Sequence, residues 1–276
     1  MFISDTELIP LFSGSSGNSV LVRVCGFQFL VDIGQSCKRV EEALLKVGTT
    51  ADDIDALFIT HSHSDHIKGV DVFVRKHPLP IYATAPTMNA ILKTCTKPHD
   101  AMLDKVIDSR EILMKSPVCD DDDVRIDICE TPHDAYGSVC YKFSSEFKKK
   151  SLMVMTDLGY VTEEIREMAT GVSGILVEAN YDPDMLENGP YDYVLRRRVA
   201  GPRGHLSNYD SAEIIKYLID HGTTEFMLGH LSENNNIPDL AYETIVSVLR
   251  KYQYENDTHY HLKVAKRYEV SDFLKV

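Results

Sequence analysis

Thr60-His61-Ser62-His63-Ser64-Asp65-His66 is the stretch on which the reading of this sequence turns, because it crowds imidazoles and a carboxylate into one short segment. Two imidazoles separated by a single residue converge on one cation when the chain between them is extended. The Asp and His that follow can then turn toward a second cation. Zinc accepts imidazole nitrogen and carboxylate oxygen alike, at about 2.0–2.2 Å. Ser62 and Ser64 are small and let the segment bend tightly. The bland alternative is a polar surface loop. Against it stands the context: an apolar run at 56–60 that reads as a buried strand, and a helical pattern at 69–76.

The same arrangement recurs outward from this segment. Runs at 20–24 and 27–31 flank Gly26 and read as a hairpin, with Asp32 just past its end. Val40, Ala43, Leu44 and Val47 follow helical spacing, and Gly48 can end that helix. Val124, Ile126 and Ile128 alternate as in a strand, and the chain then reaches His133. The run 152–156 ends at Asp157, 175–177 near Glu178, and 225–228 near His230, with a helical pattern at 211–219 between the last two. Polar candidates thus sit repeatedly past strand C-termini, where open α/β architectures carry their sites. The mixed order argues for an α/β fold and leaves the topology open.

With 276 residues and 43% hydrophobic content the chain can bury a sizeable core, and no composition shift, repeat or linker divides it. Residues 1–276 are therefore expected to form one domain. No stretch approaches the roughly 20 apolar residues that span a bilayer, and residues 1–5 lack a signal-peptide pattern, so no membrane association is expected. The six cysteines form no Cys-x-x-Cys pair, which fits reduced thiols in a cytoplasmic protein. A net charge of −13 argues against a protein that holds nucleic acid by bulk charge alone. The acidic run 120–123 and the lysines at 148–150 read as solvated turns, and His77, His99, His221, His259 and His261 lack ligand company in the sequence.

The segment at 60–66 resembles the signature of the metallo-β-lactamase superfamily. Phe29-Leu30-Val31-Asp32-Ile33-Gly34, Thr131-Pro132-His133-Asp134, Met155-Thr156-Asp157-Leu158-Gly159 and Leu228-Gly229-His230-Leu231-Ser232 resemble its other motifs, in order. The resemblance implies a four-layer αββα sandwich with two mixed β-sheets. It also implies two divalent metal ions, zinc first, with manganese or iron admitted by the carboxylates. By it, His61, His63 and His133 would hold one ion, and Asp65, His66 and His230 the other. Asp157 would lie between them and Asp32 would support the metal loop. Such a pair of ions, about 3.5–4 Å apart, activates water at neutral pH and clamps the attacked group, giving Asp65 a part in catalysis as well. His rather than Glu at position 63 disfavours the oxygen-reducing di-iron branch. The short interval between Asp157 and His230 leaves no room for a β-CASP insertion.

A narrower resemblance rests on Leu11-Phe12-Ser13-Gly14-Ser15-Ser16-Gly17-Asn18-Ser19, Val177-Glu178-Ala179-Asn180-Tyr181-Asp182, Gly204-His205-Leu206-Ser207-Asn208 and Gly229-His230-Leu231-Ser232-Glu233-Asn234-Asn235-Asn236. Together these are similar to the YycJ/WalJ family of exonucleases, which implies action on DNA from the 5′ end and a part in DNA repair. Tyr181 stands where some relatives carry His, so its role stays open. The substrate candidates are Ser13, Ser15, Ser16 and Asn18, whose loop could approach an anionic oxygen. Arg196, Arg197, Arg198 and Arg203 form the densest basic patch, which could steer a nucleic-acid backbone; Arg196 and Arg197 from it, and Asn208, join the candidates. The loop could equally be a turn, and the arginines a solvated helix face. His205 resembles the residue that contacts phosphate or protonates the leaving oxygen in phosphodiesterases of this fold, help worth about 10²–10⁴-fold; a structural histidine is the alternative. Asn234, Asn235 and Asn236 either line a pocket or build a turn. The competing functions are a hydrolase of a small phosphodiester, thioester or lactone, and a binding module that has kept the fold. Oligomeric state is not legible.

Overall fold

The computed structural model describes residues 6–95, 105–117 and 123–276. Its strands form two facing sheets. The first runs in spatial order through β1 (Glu7–Phe12), β2 (Ser19–Val24), β3 (Phe27–Val31), β4 (Ala56–Phe58), β5 (Ile81–Thr84) and β6 (Val106–Ile107), with β14 (Leu274–Lys275) on the outer side of β1. The second runs through β7 (Glu111–Lys115), β8 (Asp123–Glu130), β9 (Val139–Ser145), β10 (Lys150–Met155), β11 (Gly174–Glu178), β12 (Glu225–Gly229) and β13 (His261–Val264). Both mix polarities. β3, β4 and β5 run parallel beside an antiparallel β1–β3 meander, and β10 to β13 run parallel beside antiparallel β7 to β10.

Local chemistry explains the elements. The β2–β3 hairpin closes over Cys25 and Gly26, at φ 47° and 84°; a two-residue turn with both φ positive matches the right-handed twist of the strands it joins. Helix α1 (Cys37–Lys46) buries Cys37, Val40, Ala43 and Leu44 on one face, and Gly48 past its end has φ 74°. With α3 (Val70–Lys76) and α4 (Ala85–Thr94) it covers the outer face of the first sheet. Helices α5 (Glu163–Ala169), α8 (Asn208–Asp220) and α9 (Pro238–Lys251) cover the second. Between the sheets lies a third apolar layer, centred on Phe29, Phe58, Tyr141 and Phe143, whose rings contact one another edge-on or stacked. The result is the expected four-layer αββα sandwich. A shorter helix, α2 (Ser64–Ile67), starts inside the metal-binding segment, and α6 (Pro183–Asn188) and α7 (Tyr193–Val199) stand apart from the layers.

Among the described residues no helix is long and apolar enough to cross a membrane. Asp120, Asp121 and Asp122 lie outside the described residues, as does His99; Asp123 opens β8 as an exposed residue. Lys148 and Lys149 form the expected turn between β9 and β10, and Lys150 opens the latter strand.

Candidate metal centre

The centre is assembled at strand ends. Asp32 follows β3, His61 lies past β4, His133 past β8, Asp157 past β10, and His230 directly after β12. Asp32, Asp157 and His230 adopt positive φ, 64°, 61° and 53°. Non-glycine residues rarely do so, and each instance costs on the order of 1–3 kcal/mol. That backbone swings the three side chains back across the sheet edges, toward the segment at 61–66. The segment is buttressed by two loops: His66 carbonyl accepts from Ile33 N–H, after β3, at 2.8 Å, and Asp65 carbonyl from Asn18 N–H, before β2, at 2.7 Å. Only glycine fits at position 34, where a Cβ would lie 1.7 Å from the Asp65 carbonyl oxygen.

Each imidazole is oriented by a partner on its outward nitrogen. His66 Nδ1 donates to Asp32 Oδ2 at 2.8 Å, and His133 Nδ1 to Gly204 carbonyl at 3.1 Å. Thr60 Oγ1 donates to Asp32, so it accepts from His61 Nδ1, 3.0 Å away. His230 Nδ1 donates to Glu178 Oε1 at 2.8 Å. These four rings present Nε2 inward. His63 is reversed: its Nε2 faces Asp134 Oδ1 at 3.2 Å and its Nδ1 faces inward. Such outer partners fix tautomer and ring direction in metal sites.

Two donor groups result. His61 Nε2 and His133 Nε2 lie 3.1 and 3.2 Å from His63 Nδ1. Asp65 Oδ2 lies 3.5 Å from both His66 Nε2 and His230 Nε2. Asp157 sits between, with Oδ1 at 3.5 Å from His230 Nε2, 3.8 Å from His133 Nε2 and 3.9 Å from His61 Nε2, and Oδ2 at 3.4 Å from His66 Nε2. Imidazole nitrogens and carboxylate oxygens converging at such distances in a buried pocket are the donor set of a divalent cation. Asp157 Oδ2 and His230 Nε2 are buried without a hydrogen-bond partner. The charge balance agrees. Burial opposes ionisation of Asp157, yet His230, His66, His61 and His133 hold its carboxyl well below the carboxylate range. Burial likewise opposes a charge on His230, but Asp157, Asp65 and Glu178 push it up to about 10. Burial, then His66, pushes His61 well below the usual range, leaving its lone pair for a ligand bond. The cluster demands positive charge, and the donors fit divalent metal ions.

Glu178, which sequence reading left without a role, is the hub of this arrangement. It is fully buried at the end of β11, and Oε1 accepts from both His205 Nδ1 and His230 Nδ1 at 2.8 Å. Oε2 accepts from Leu206 N–H at 3.1 Å and Leu158 N–H at 3.3 Å. Burial favours its neutral form, but His205 and His230 outweigh that and hold its carboxyl at about 2. The available signal was an acid closing an otherwise apolar strand, since buried acids are almost always partnered. With Nδ1 committed, His205 lines a cavity of about 320 Å³ shared with His63, Asp65, Asp157 and His230.

The remaining substrate candidates divide. Ser15 lines that cavity and is exposed. Ser13 does not reach it: its Oγ accepts from His230 N–H at 2.8 Å and holds the strand end. Asn18 is a brace as well, its Oδ1 accepting from Gly14 N–H at 2.8 Å and its Nδ2 lying 3.1 Å from His66 Nε2. Ser16 contributes its carbonyl to Gln35, with its hydroxyl buried and unpartnered. Asn208 is turned away and fully buried, its amide paired with that of Asn236, which also donates to Ala179 carbonyl. Asn235 is equally buried, and Asn234 bonds Tyr191, so this run builds a turn. Arg196 is drawn to Glu187 and Arg197 lies over the Tyr193 ring; neither lines the cavity. Arg198 does, held by Asp134 Oδ2 at 2.5 Å. Helical spacing was the usable signal, because Leu195, Arg198 and Val199 share one face of α7 and all line the cavity. That face packs on Tyr181 and Leu186, which gives Tyr181 a structural place under the α6–α7 cap. His77 also departs from expectation. Its Nε2 lies 2.7 Å from Glu41 and its Nδ1 2.5 Å from Asp52, with Lys76 on the same Glu41 carboxylate, so it ties α3 to α1.

A family model described as the beta-lactamase superfamily domain matches residues 28–231. This chain belongs to the metallo-β-lactamase superfamily. Within the superfamily it is 36% identical to exodeoxyribonuclease WalJ of Streptococcus pneumoniae, over 87% of this chain and 86% of that one. It is 32% identical to exodeoxyribonuclease YycJ of Bacillus anthracis, over 87% and 88% of the two chains. Among solved superfamily structures, YhfI of Bacillus subtilis aligns with a TM-score of 0.71 at 16% identity, over 99% of this chain and 100% of that one.

Proposed function

We propose that this protein is a metal-dependent exonuclease that cleaves DNA from the 5′ end. The observation that carries the reading is the clustering of His61, His63, Asp65, His66, His133, Asp157 and His230, of which His63, Asp65, Asp157 and His230 line a cavity that His205 and Arg198 line as well. Two superfamily relatives that match most of the chain bear the name exodeoxyribonuclease. His61, His63 and His133 would hold one divalent ion and Asp65, His66 and His230 the other, with Asp157 shared; zinc suits the histidines, and manganese or iron suits the carboxylates. When bound, such ions supply an activated water and positive charge against the attacked phosphate.

The chain's own residues do the rest. Glu178 accepts from His205 Nδ1 and so supports the imidazolium form, in which Nε2–H can give its proton to the leaving oxygen and the ring is left neutral. Arg198 offers a guanidinium to a phosphate oxygen at the mouth of the cavity, where Ser15 lies as well. Asp134 holds both Arg198 and His63 and so keeps the phosphate contact in register with the ligands. We read residues 1–276 as one domain acting in the cytoplasm. The test is digestion of 5′-phosphorylated DNA by the purified, metal-loaded protein, with His61→Ala alongside. Release of nucleotides from the 5′ end, absent in the variant, is expected; intact DNA, or equal cleavage by His61→Ala, overturns the reading.

A further inference from the structure

A second cavity, of about 670 Å³, adjoins the metal centre on the far side of His133. Thr84, Ala85, Pro86 and Ile107 form part of its lining, and three loops that each carry a residue of the centre form the rest. Tyr136 stands three positions after His133, Tyr160 three positions after Asp157, and Pro202 and Arg203 shortly before His205. The loops are locked together. Gly159 N–H donates to Pro132 carbonyl at 2.9 Å, and a Cβ on Gly159 would lie 2.4 Å from the Pro202 backbone. Arg203 Nε donates to His133 carbonyl at 3.0 Å.

Two features of this groove are unexplained by folding. Tyr136 is 81% and Tyr160 51% exposed, although aromatic rings are large apolar surfaces that a fold normally buries. Arg203 is exposed and has no carboxylate partner among the described residues, although the chain is strongly acidic. Exposed rings beside a guanidinium that no carboxylate neutralises among the described residues are the combination that holds single-stranded nucleic acid, the rings stacking on bases and the cation meeting the backbone. Glu130 also lines the groove, so stacking rather than net charge must carry the contact.

Resting on the nuclease reading, we propose that this groove holds the single-stranded part of the substrate, with bases stacked on Tyr136 and Tyr160 and a phosphate on Arg203, while the scissile phosphate lies at the metal centre. Because the three loops are shared, a strand seated here is aligned with the reacting groups.

The test uses the full-length, metal-loaded protein and two probes, a fluorescein-labelled single-stranded oligonucleotide and bis(p-nitrophenyl) phosphate. Tyr136→Ala and Tyr160→Ala should each weaken oligonucleotide binding, read by anisotropy, by roughly tenfold. They should raise KM for the oligonucleotide at least fivefold more than KM for the small diester. Phe at either position should restore binding, because the ring and not the hydroxyl does the work. Unchanged anisotropy in both alanine variants overturns the groove, as does an equal loss on both probes, which would reveal a merely structural role. A wild-type protein that binds the oligonucleotide through these tyrosines but never cleaves it refutes the nuclease reading and leaves the groove standing.

Discussion

Replacing Glu178 by Gln keeps the shape of the side chain and removes the one feature the centre needs from it. Four donors point at the carboxylate: His205 Nδ1 and His230 Nδ1 at one oxygen, Leu158 and Leu206 N–H at the other. An amide accepts at one end only. If its carbonyl meets the imidazoles, its NH₂ faces two backbone donors; if it is flipped, its NH₂ faces the imidazoles. The imidazoles can then relieve the clash only by moving their proton to Nε2, which spoils His230 as a ligand. A hydrogen bond to a charged group contributes a net of about 1.5–3 kcal/mol, which corresponds to roughly the 10–100-fold loss typical when an outer partner of a metal ligand is changed. We therefore expect Glu178→Gln to lower kcat/KM on 5′-phosphorylated DNA by about 10–100-fold. Metal content, measured by mass spectrometry after dialysis against graded chelator, should be lost at correspondingly lower chelator concentration. A variant with metal retention and kcat/KM both within about twofold of wild type would refute the assignment of Glu178 as the orienting group. So would a lowered melting temperature accompanied by normal activity per bound metal.

Three other outcomes follow from the geometry. Arg198→Ala should raise KM for a phosphate ester by about tenfold, the scale of one charge-assisted hydrogen bond, with metal content unchanged; steady-state kinetics and metal analysis check both halves. Gly34→Ala should lower the melting temperature, by the equivalent of about 1–3 kcal/mol or more, and reduce metal content, since the added methyl can fit only by displacing the Asp65 backbone. The Glu41–His77 cluster should give a stability difference from Glu41→Gln that is widest between pH 4.5 and 6.5. Lys76 and His77 hold the Glu41 carboxyl down from 4.5 to about 2, so its stabilisation is complete above 4.5 and fades as pH falls toward 2. Burial works against a charged His77, but Glu41 and Asp52 outweigh it and raise it above 6.5, so its share is complete below 6.5 and is lost as pH rises through the raised value. Thermal melts of both proteins across pH would show it, and a pH-independent difference would contradict the charge assignment.

The strand-end candidates were legible because each follows a short apolar run, a pattern that survives in one dimension. The layer arrangement needed the family resemblance, since mixed strand order is compatible with many topologies. What sequence could not convey was who orients whom. Ser13 holds His230 across 217 positions, Gly204 turns His133 across 71, and Glu178 serves histidines 27 and 52 positions away. Residue type made Ser13, Asn18 and Asn208 look like substrate contacts, because polar side chains beside a metal motif read alike whether they face the ligand or the fold. His77 misled in the opposite sense: its two acids lie on separate elements and are brought together only by the packing of α1 against α3.

The positive backbone angles at Asp32, Asp157 and His230 also bear on engineering this chain. Glycine at any of the three positions would relieve the local backbone strain, but at Asp32 it would leave Thr60 N–H, Thr60 Oγ1 and His66 Nδ1 without their acceptor, and at His230 it would take a partner from Glu178. Each such choice would also delete a proposed ligand or its proposed support. The native residues are therefore a record of chemistry overruling local preference, and attempts to toughen the scaffold should begin at the far ends of the sheets, where no side chain is asked to hold an awkward pose.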